Sequence, residues 1–307
     1  MLTPALASQK TLKAPIHCTG IGLHSGVKAA LTLRPAPVGT GILFRRLDGV
    51  GGPVEIAAHW SNALESPLCT TLTDGKNTSI LTIEHLMSAL AGCGIDNCTI
   101  EIIGPEVPIM DGSSAPFVFL IECAGTIDQH VPRQAIKVLK PVSVGDDRAW
   151  TSIEPDDQFS VEFEIDFPSK AIARQTANMV IDPVSFKHEI SRARTFGFLK
   201  DLDALRANGR ALGGSLDNAV VIDGDTVVNS GGLRYADEFV RHKVLDAVGD
   251  LYLAGGPLLG RFRGSRSSHA LNRRLLAALF ADRDAWSMAA VDEAPFGRWQ
   301  EPRALSA

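Results

Sequence analysis

Apolar and polar residues alternate in short runs along the first third of the chain, which is the period of half-buried β-strands. Residues 29–33 and 41–45 show this alternation, and turns that contain Gly or Pro follow both runs. The pattern predicts that this third of the chain folds as a sheet of short strands.

Apolar residues then recur at helical spacing over two stretches. Asn77-Thr78-Ser79 offers N-cap side chains for a helix over residues 81–91, and a second helix is predicted over residues 115–124. Between them, residues 97–103 alternate again and predict a strand. The first half therefore begins with strands and ends with helices.

The polar, Pro-containing stretch 128–133 is typical of a linker, and the elements after it repeat the order of the first half. They are strands between residues 135 and 167, helices over 184–192 and 199–208, a hairpin of 219–222 with 226–229, a long helix over 237–253, a strand over 258–263, and a helix capped by Ser267 or Ser268 that runs to Phe280. This order predicts an α+β fold with two domains of similar topology, residues 1–130 and 134–307, each a β-sheet layer packed on helices.

The composition excludes several classes of protein. Of the 307 residues, 45% are hydrophobic and 21% are charged, which is ordinary globular usage and excludes a disordered chain. The net charge of −5 argues against a nucleic-acid-binding protein, and no apolar run reaches the ~18 residues of a transmembrane helix. Because the first ten residues lack the pattern of an export signal, we expect a cytoplasmic protein with no nucleic-acid partner and no integral membrane segment.

The cysteines argue against two further possibilities. Their number, five, is odd, and no two of them form a Cys-x-x-Cys pair, which disfavours both a disulfide framework and a cysteine-based zinc site. We interpret all of them as small, buried apolar side chains. They are Cys18, Cys69, Cys93, Cys98 and Cys123.

Candidate chemistry starts on the predicted long helix. His242, Asp246 and Asp250 are spaced four residues apart, so one stripe of the helix carries an imidazole and two carboxylates. The spacing alone leaves two interpretations open. The residues are either metal ligands or polar groups on the solvated side of a helix whose other stripe is apolar.

Glu84 and His85 form a second candidate. Adjacent helical residues point about 100° apart, so the two side chains cannot bind one ion in the same way. His85 could bind a metal while Glu84 reaches a water molecule on it. The alternative is an exposed Glu beside a half-buried His.

Two more segments carry polar side chains in less distinctive patterns. His269 stands at a predicted helix start, where the helix dipole disfavours its cation unless a carboxylate such as Asp250 compensates. Thr195 lies beside Phe196 and Phe198 on a predicted loop, where it either offers a hydroxyl to a site or simply packs. No role is assigned to the other histidines, which are His17, His24, His59, His130 and His188.

Five motifs occur in an order and at a spacing that are specific as a set. They are Thr82-Ile83-Glu84-His85, Pro108-Ile109-Met110-Asp111-Gly112-Ser113, Ser191-Arg192-Ala193-Arg194-Thr195-Phe196-Gly197-Phe198, Arg241-His242-Lys243-Val244-Leu245-Asp246, and Gly264 through His269. Together they resemble the zinc-dependent UDP-3-O-acyl-N-acetylglucosamine deacetylases of lipid A biosynthesis. The resemblance runs from about Thr11 to Phe280, which is almost the whole chain.

The resemblance implies a reaction and the residues that perform it. The reaction is hydrolysis of the N-acetyl group of a UDP-linked, 3-O-acylated N-acetylglucosamine to acetate and a free amine, at a Zn²⁺ site between the two domains. His85, His242 and Asp246 match the zinc ligands, with one coordination position left open for water. Glu84 matches the general base.

The remaining positions follow from the same resemblance. His269 matches a histidine near the reacting carbonyl, Asp250 the carboxylate that orients it, and Thr195 a hydroxyl beside the oxyanion. Lys243 matches a lysine near the substrate phosphate or sugar. Residues 196–221 match a β-α-β insert that forms a passage for the acyl chain. The implied substrate-binding side chains are Phe167, Phe196 and Phe198 around the UDP-sugar, and Leu202, Leu205, Ala211 and Val221 in the passage.

Two alternative functions remain open at this point. One is another zinc amidohydrolase, although the chain lacks the His-Glu-x-x-His signature of common peptidases. The other is a non-catalytic sugar-nucleotide-binding protein that carries His242 and Asp246 on its surface. Two His and one Asp would also accept Fe²⁺ or Co²⁺, and the sequence does not decide whether Glu84 or His269 protonates the leaving amine. We expect a monomer.

Overall fold

The computed structural model describes residues 7–49, 51–66 and 68–291. Twenty β-strands lie within this part of the chain. Those of the first half are β1 (Ser8–Leu12), β2 (Ile16–Ile21), β3 (Lys28–Pro35), β4 (Ile42–Arg46), β5 (Val54–Ala57), β6 (Ala63–Leu64), β7 (Thr71–Thr73), β8 (Ser79–Ile80), β9 (Cys98–Ile103) and β10 (Thr126–Pro132). Those of the second half are β11 (Gln134–Val138), β12 (Val142–Gly145), β13 (Trp150–Glu154), β14 (Phe159–Asp166), β15 (Arg174–Val180), β16 (Phe196–Phe198), β17 (Val220–Asp223), β18 (Thr226–Val227), β19 (Leu258–Ser265) and β20 (Trp286–Ala290).

The same part of the chain forms six α-helices. They are α1 (Glu84–Gly92), α2 (Ala115–Ala124), α3 (Pro183–Ser185), α4 (Leu202–Ala207), α5 (Glu238–Leu251) and α6 (His269–Ala281). A π-helix over Phe186–Ile190 continues α3. Short 3₁₀ turns cover Trp60–Asn62, Leu199–Asp201 and Tyr252–Ala254.

The two halves of the chain build sheets of the same topology. In the first half the strand order is β2-β3-β9-β4-β5, with only the β9–β4 pair parallel. The second half contains the path β12-β13-β19-β14-β15, with only the β19–β14 pair parallel. One helix precedes and one follows the central strand in each half, α1 and α2 around β9, and α5 and α6 around β19. The α+β fold with two similar halves is thereby confirmed, while the boundaries at residues 130 and 134 stay a prediction.

Burial follows the predicted periods in the central strands. In β9 the side chains of Cys98, Ile100 and Ile102 are buried and their neighbours are less so. β19 alternates in the same way along its length. Because every second side chain faces the same side of a sheet, one face of each sheet packs on helices and the other lies nearer to solvent.

Helices α1 and α5 join the two halves, because they pack directly against each other. Gly249 of α5 lies at their crossing, where an added Cβ would stand 2.1 Å from the carbonyl oxygen of Glu84. The two helix backbones therefore touch at this point. Nearly every residue of both helices is buried, so their polar side chains lie inside the molecule.

Several predicted elements differ from the observed ones. The stretch predicted as a linker, 128–133, lies mostly in β10, which pairs antiparallel with β1. Its polarity reflects an exposed strand, since most β10 side chains face solvent. Helix α1 begins only at Glu84 and has no side-chain cap, because Ser79 belongs to strand β8 instead.

Other predictions are confirmed. Helix α2, the hairpin of β17 and β18, and the cap of α6 by Ser268 lie where the pattern placed them. All five cysteines are free thiols, as predicted, but the prediction that all are buried is wrong. Cys69 and Cys98 are buried, Cys18 and Cys93 are half-buried, and Cys123 is exposed. No helix among the described residues is long and apolar enough to cross a membrane.

Candidate active site

The crossing of α1 and α5 brings His85, His242 and Asp246 together. The Oδ1 atom of Asp246 lies 3.3 Å from Nε2 of His242 and 3.6 Å from Nε2 of His85. The two imidazole rings stand almost perpendicular, with centroids 5.0 Å apart. All three residues are at most 4% exposed, which excludes the interpretation of His242 and Asp246 as surface residues.

This cluster has the chemistry of a metal site. One potential ligand atom from each residue lies within 4.8 Å of the others. The Oδ1 atom of Asp246 is buried and accepts no hydrogen bond from the part of the chain that the structure describes. His242 contacts the carbonyl oxygen of Ala193 through Nδ1 at 3.0 Å, which leaves Nε2 free to bind a metal. A buried acceptor without a donor is costly, so a cation that satisfies it fits the residues present.

The protonation states of the cluster also suit metal binding. Burial lowers the pKa of His242 to about 4, so its imidazole is neutral at pH 7 and keeps a lone pair. Burial alone would raise the pKa of Asp246, but the nearby His242 and Lys243 hold it well below its usual range. The site thus presents a carboxylate and a neutral imidazole without prior deprotonation.

Lys243 contacts the metal-site carboxylate. Its Nζ atom lies 2.7 Å from Oδ2 of Asp246, the oxygen that faces away from the two histidines. The resemblance implied a lysine near the substrate phosphate or sugar. In the structure the ammonium group donates to Asp246 and limits the rotation of its carboxylate. Contact of Lys243 with the substrate stays a prediction.

Glu84 lies one residue before the cluster and is buried. Its Oε2 atom accepts a hydrogen bond from the backbone N–H of Thr70 at 3.0 Å, and its Oε1 atom lies 3.8 Å from Nε2 of His269. Burial raises the pKa of Glu84 to about 7, although the charge of His269 opposes the increase. A carboxylate with this pKa can accept and release a proton near neutral pH.

His269 pairs with Asp250, as the sequence predicted for a histidine at a helix start. The Nδ1 atom of His269 lies 2.8 Å from Oδ2 of Asp250. Burial alone would lower the pKa of His269, but the carboxylates of Asp250 and Glu84 outweigh burial and raise it to about 10. The imidazole is therefore a cation at neutral pH, and its Nε2 side faces Glu84.

The segment that carries Thr195 is fixed against α5 by a buried ion pair. Glu238 accepts hydrogen bonds from the backbone N–H of Arg194 at 3.0 Å and from its Nε at 2.9 Å. These bonds hold the Ala193 carbonyl against His242 and explain why Arg194 belongs to the motif. The backbone N–H of Thr195 donates to the carbonyl oxygen of Gly112 at 2.8 Å.

Gly112 explains a second motif. Its φ of 84° lies in the left-handed region, and an added Cβ would stand 2.2 Å from the carbonyl oxygen of Asn218. Only glycine lets residues 111–113 pass between Thr195 and Asn218. The Thr195 side chain is half-buried, and its place beside the reacting oxygen stays a prediction.

Three predicted aromatic residues form one cluster. The ring centroid of Phe167 lies 5.7 Å from that of Phe196 and 5.9 Å from that of Phe198. Phe196 also lies 6.2 Å from the ring of His242, so the aromatic cluster adjoins the metal site. Edge-to-face contacts of this kind fix ring orientation.

The predicted β-α-β insert is present. Strands β16 and β17 pair in parallel, and α4 lies between them in sequence. Part of the insert docks on residues 22–26, since the backbone N–H groups of Leu212 and Gly213 donate to the carbonyls of His24 and Leu23. The side chains predicted to line the passage are only partly buried; they are Leu202, Leu205, Ala211 and Val221.

Sequence reasoning missed three residues near the site. His24 is buried, and neither of its ring nitrogens has a hydrogen-bond partner among the described residues. Thr70 and Asn272 donate to Asp250 at 2.5 and 2.9 Å. Asn272 lies three residues after His269 on α6, so i, i+3 spacing could have placed the two together. Thr70 and His24 lie in irregular segments whose residue pattern carries no such signal.

The other histidines are exposed at positions 17, 130 and 188 and half-buried at position 59.

Comparison with known proteins decides the family. The family model of UDP-3-O-acyl N-acetylglycosamine deacetylases matches residues 9–281. The chain belongs to this family. It is 52% identical to the UDP-3-O-acyl-N-acetylglucosamine deacetylase of Chromohalobacter salexigens, with 93% of this chain and 94% of the relative covered. The deacetylase of Thioalkalivibrio sulfidiphilus is 51% identical, with 91% of both chains covered, and that of Idiomarina loihiensis is 49% identical, with 96% and 98% covered.

The range matched by the family model contains all the residues of the candidate site. Every residue described in the site above lies within the matched range of residues 9–281. The resemblance drawn from the five motifs is confirmed at the level of the family. The roles of individual residues are a separate question.

Proposed function

We propose that this chain removes the N-acetyl group of UDP-3-O-acyl-N-acetylglucosamine and releases acetate and the free amine, a step of lipid A biosynthesis. The observation that carries the proposal is the buried group of His85, His242 and Asp246 directly beside Glu84. Relatives about half identical over nearly the full chain carry the name of this activity.

His85, His242 and Asp246 are the proposed ligands of a divalent cation, and Zn²⁺ is the proposed ion. When bound, the ion supplies a Lewis acid that polarises the amide carbonyl and makes water acidic enough to ionise near neutral pH. Two imidazoles and one carboxylate leave room for water and substrate in a four-coordinate site.

Glu84 is the proposed general base. Because the backbone N–H of Thr70 holds Oε2, the Oε1 atom is the one free to take a proton from water. Attack of that water on the carbonyl carbon gives a tetrahedral species whose oxygen is negative. The proton that Glu84 has taken is then available for the leaving nitrogen.

His269 and Thr195 are the proposed partners of the negative oxygen. Protonated His269 supplies a positive charge, and the Thr195 hydroxyl supplies a hydrogen-bond donor. Removing one donor of this kind costs ~2.7–4 kcal/mol of barrier in other enzymes. The leaving nitrogen receives its proton either from Glu84 or from Nε2 of His269, and we favour Glu84 as base with His269 mainly as the cation.

Substrate binding is proposed for the aromatic cluster and the insert. Phe167, Phe196 and Phe198 offer ring faces and edges to the UDP-sugar, beside the proposed metal ligand His242. Lys243 offers a charge for phosphate or sugar oxygens while it holds Asp246. The acyl chain is proposed to run along the insert, past Leu202, Leu205, Ala211 and Val221.

The experiment measures metal content and acetate release on the same purified protein. We expect one equivalent of zinc by elemental analysis, and acetate release from the UDP-linked substrate but not from N-acetylated peptides. Release from peptides alone would favour another amidohydrolase. A metal-free protein that binds the substrate without hydrolysing it would favour a sugar-nucleotide-binding module.

A cytoplasmic location and a monomeric state are also proposed. A nucleotide-linked substrate supports the first proposal, and fractionation of cells tests it. Light scattering of the purified protein tests the second, with the mass of one chain, 32.8 kDa, as the expected result.

A further inference from the structure

Thr70 hydrogen-bonds both to the proposed general base, Glu84, and to Asp250, the partner of His269. It is 5% exposed and immediately precedes β7. Its backbone N–H donates to Oε2 of Glu84 at 3.0 Å, and its carbonyl oxygen accepts from the N–H of Ile83 at 3.3 Å. Its hydroxyl donates to Oδ1 of Asp250 at 2.5 Å. One residue thus touches the start of α1 and the end of α5.

The carboxylate of Asp250 is held on both oxygens. Thr70 occupies Oδ1, and Oδ2 accepts from Nδ1 of His269 at 2.8 Å and from Nδ2 of Asn272 at 2.9 Å. Ser267 donates to Oδ1 of Asn272 at 2.8 Å, which fixes the amide so that its NH₂ group faces Asp250. The carboxylate therefore cannot rotate without breaking several bonds.

The Thr70 hydroxyl also faces the ring nitrogen of His269 that donates to Asp250. Its oxygen lies 3.2 Å from Nδ1 of His269. Because the single hydroxyl proton is directed to Asp250, the oxygen can only accept from Nδ1. Nδ1 therefore faces two acceptors and keeps its proton in both charge states. Nε2, which lies 3.8 Å from Oε1 of Glu84, is left as the nitrogen that can exchange a proton with the reaction.

We propose that Thr70 is a positioning residue that sets the geometry of the two proton-handling groups relative to each other. Through Asp250 it holds His269 in the Nδ1–H tautomer, and through its backbone N–H it directs Oε1 of Glu84 toward the reacting atoms. The catalytic consequence rests on the proposed function, whereas the tautomer of His269 does not.

The test uses the full-length, metal-loaded enzyme with three substitutions. Thr70→Val keeps shape and backbone bonds but removes the hydroxyl, and Thr70→Ser keeps the hydroxyl. Thr71→Val is the matched control, because among the described residues the hydroxyl of this adjacent buried threonine hydrogen-bonds only to the sulfur of Cys69, at 3.6 Å. All three variants are expected to fold and to retain the wild-type metal content.

The expected kinetic result is a change in kcat rather than KM. Loss of a hydrogen bond to a charged group predicts a fall in kcat of about 10- to 100-fold in Thr70→Val, with KM within about twofold of wild type. Thr70→Ser is expected to recover most of kcat, and Thr71→Val to match wild type. Wild-type kcat in Thr70→Val, or equal loss in the valine and serine variants, would overturn the proposal.

A second measurement does not depend on turnover. In protein labelled with ¹⁵N-histidine, spectra are recorded at pH 11, above the pKa of about 10 at which His269 becomes neutral. The ring resonances of His269, assigned through His269→Gln, are expected to show the Nδ1–H tautomer in wild type and a mixture in Thr70→Val. An unchanged tautomer in Thr70→Val contradicts the proposal. If wild type releases no acetate, the proposed function fails, while the spectra still decide whether Thr70 positions His269.

Asn272→Leu provides a second variant if Thr70→Val does not fold. It removes the Nδ2 group that donates to Oδ2 of Asp250 and leaves Thr70 and His269 in place. The same loss of kcat and the same mixture of tautomers are expected. Wild-type spectra and kcat in this variant would show that the donors on Asp250 do not set the state of His269.

Discussion

Two buried groups of opposite charge lie side by side in this site, and each changes the other's protonation. Burial raises the pKa of Glu84 to about 7, while neighbouring carboxylates raise that of His269 to about 10. Without the positive charge of His269, the pKa of Glu84 would be higher still. Without the carboxylates, His269 would be neutral. A carboxyl group with a raised pKa and an imidazolium cation thus lie close together, as is common at functional sites.

These pKa values predict a bell-shaped pH dependence of kcat/KM. The rate rises as Glu84 loses its proton, at or below about pH 7, because a bound cation lowers that pKa further than His269 alone. It falls as His269 loses its proton near pH 10. Initial rates of acetate release measured across pH 5 to 11 at constant ionic strength check this, and a flat profile would contradict the assignments.

Substitutions distinguish the proposed general base from the proposed metal ligands. Glu84→Gln is expected to retain metal and to lose about 10²- to 10⁴-fold in kcat, the usual contribution of a general base. His242→Gln is expected to lose the metal itself. Elemental analysis and acetate release on both variants check this, with exposed His188→Gln as a control that keeps both properties. Near-normal turnover in metal-loaded Glu84→Gln would disprove the assignment of Glu84.

Sequence reasoning at the residue scale found the groups that belong to motifs and missed those that do not. His85, His242, Asp246 and Glu84 lie together as the resemblance implied. Thr70 was missed because its partner Asp250 is 180 positions away in sequence. A hydrogen bond at that separation leaves no periodic or local pattern, so only the folded chain reveals it.

At the scale of elements, the site depends on how closely two helices approach. Gly249 of α5 faces the backbone of α1, and an added Cβ would stand 2.1 Å from the carbonyl oxygen of Glu84 and 3.0 Å from the backbone nitrogen of Ser88. The backbone atoms that the added Cβ would contact belong to Glu84 and Ser88, on the turns of α1 that also carry His85. Position 249 therefore affects both the packing of the two helices and the placement of Glu84 and His85.

Gly249→Ala is expected to separate the two helices and weaken the metal site. Overpacking of a buried contact costs about 1–3 kcal/mol of stability, and metal affinity is expected to fall because His85 moves away from His242. Urea unfolding and metal titration measure the two effects. Gly231→Ala is the control, since an added Cβ there meets no atom within 4 Å. Equal behaviour of the two variants would show that the crossing tolerates a side chain.

The elements that the sequence predicted well are those whose burial has a single period. The predictions of strand β9 and helix α6 agree with the structure because one face of each element is buried and the other is not. Strand β10 was mistaken for a linker because its side chains are mostly exposed. Its place is fixed by backbone pairing with β1, which requires no hydrophobic pattern.

At the scale of the molecule, equivalent helices of two similar halves build one site. Helix α1 precedes β9 and carries Glu84 and His85, while α5 precedes β19 and carries His242 and Asp246. Neither half holds a complete ligand set. The proposed ion therefore bonds to both halves at once and favours the folded, docked state over any state in which the halves separate.

Removal of the metal is therefore expected to lower the stability of the whole chain. A ligand at ~100 times its Kd stabilises the state that binds it by about 2.7 kcal/mol, which for a chain of 307 residues that unfolds as one unit corresponds to a fall in Tm of about 4 °C on chelation. Thermal unfolding with and without chelator measures this fall in wild type. His242→Gln, which lacks one ligand, should show a low Tm that chelator leaves unchanged, while His188→Gln should behave as wild type does. If chelator lowers the Tm of His242→Gln as much as that of wild type, the stabilising metal is bound elsewhere, and the two halves are held together without it.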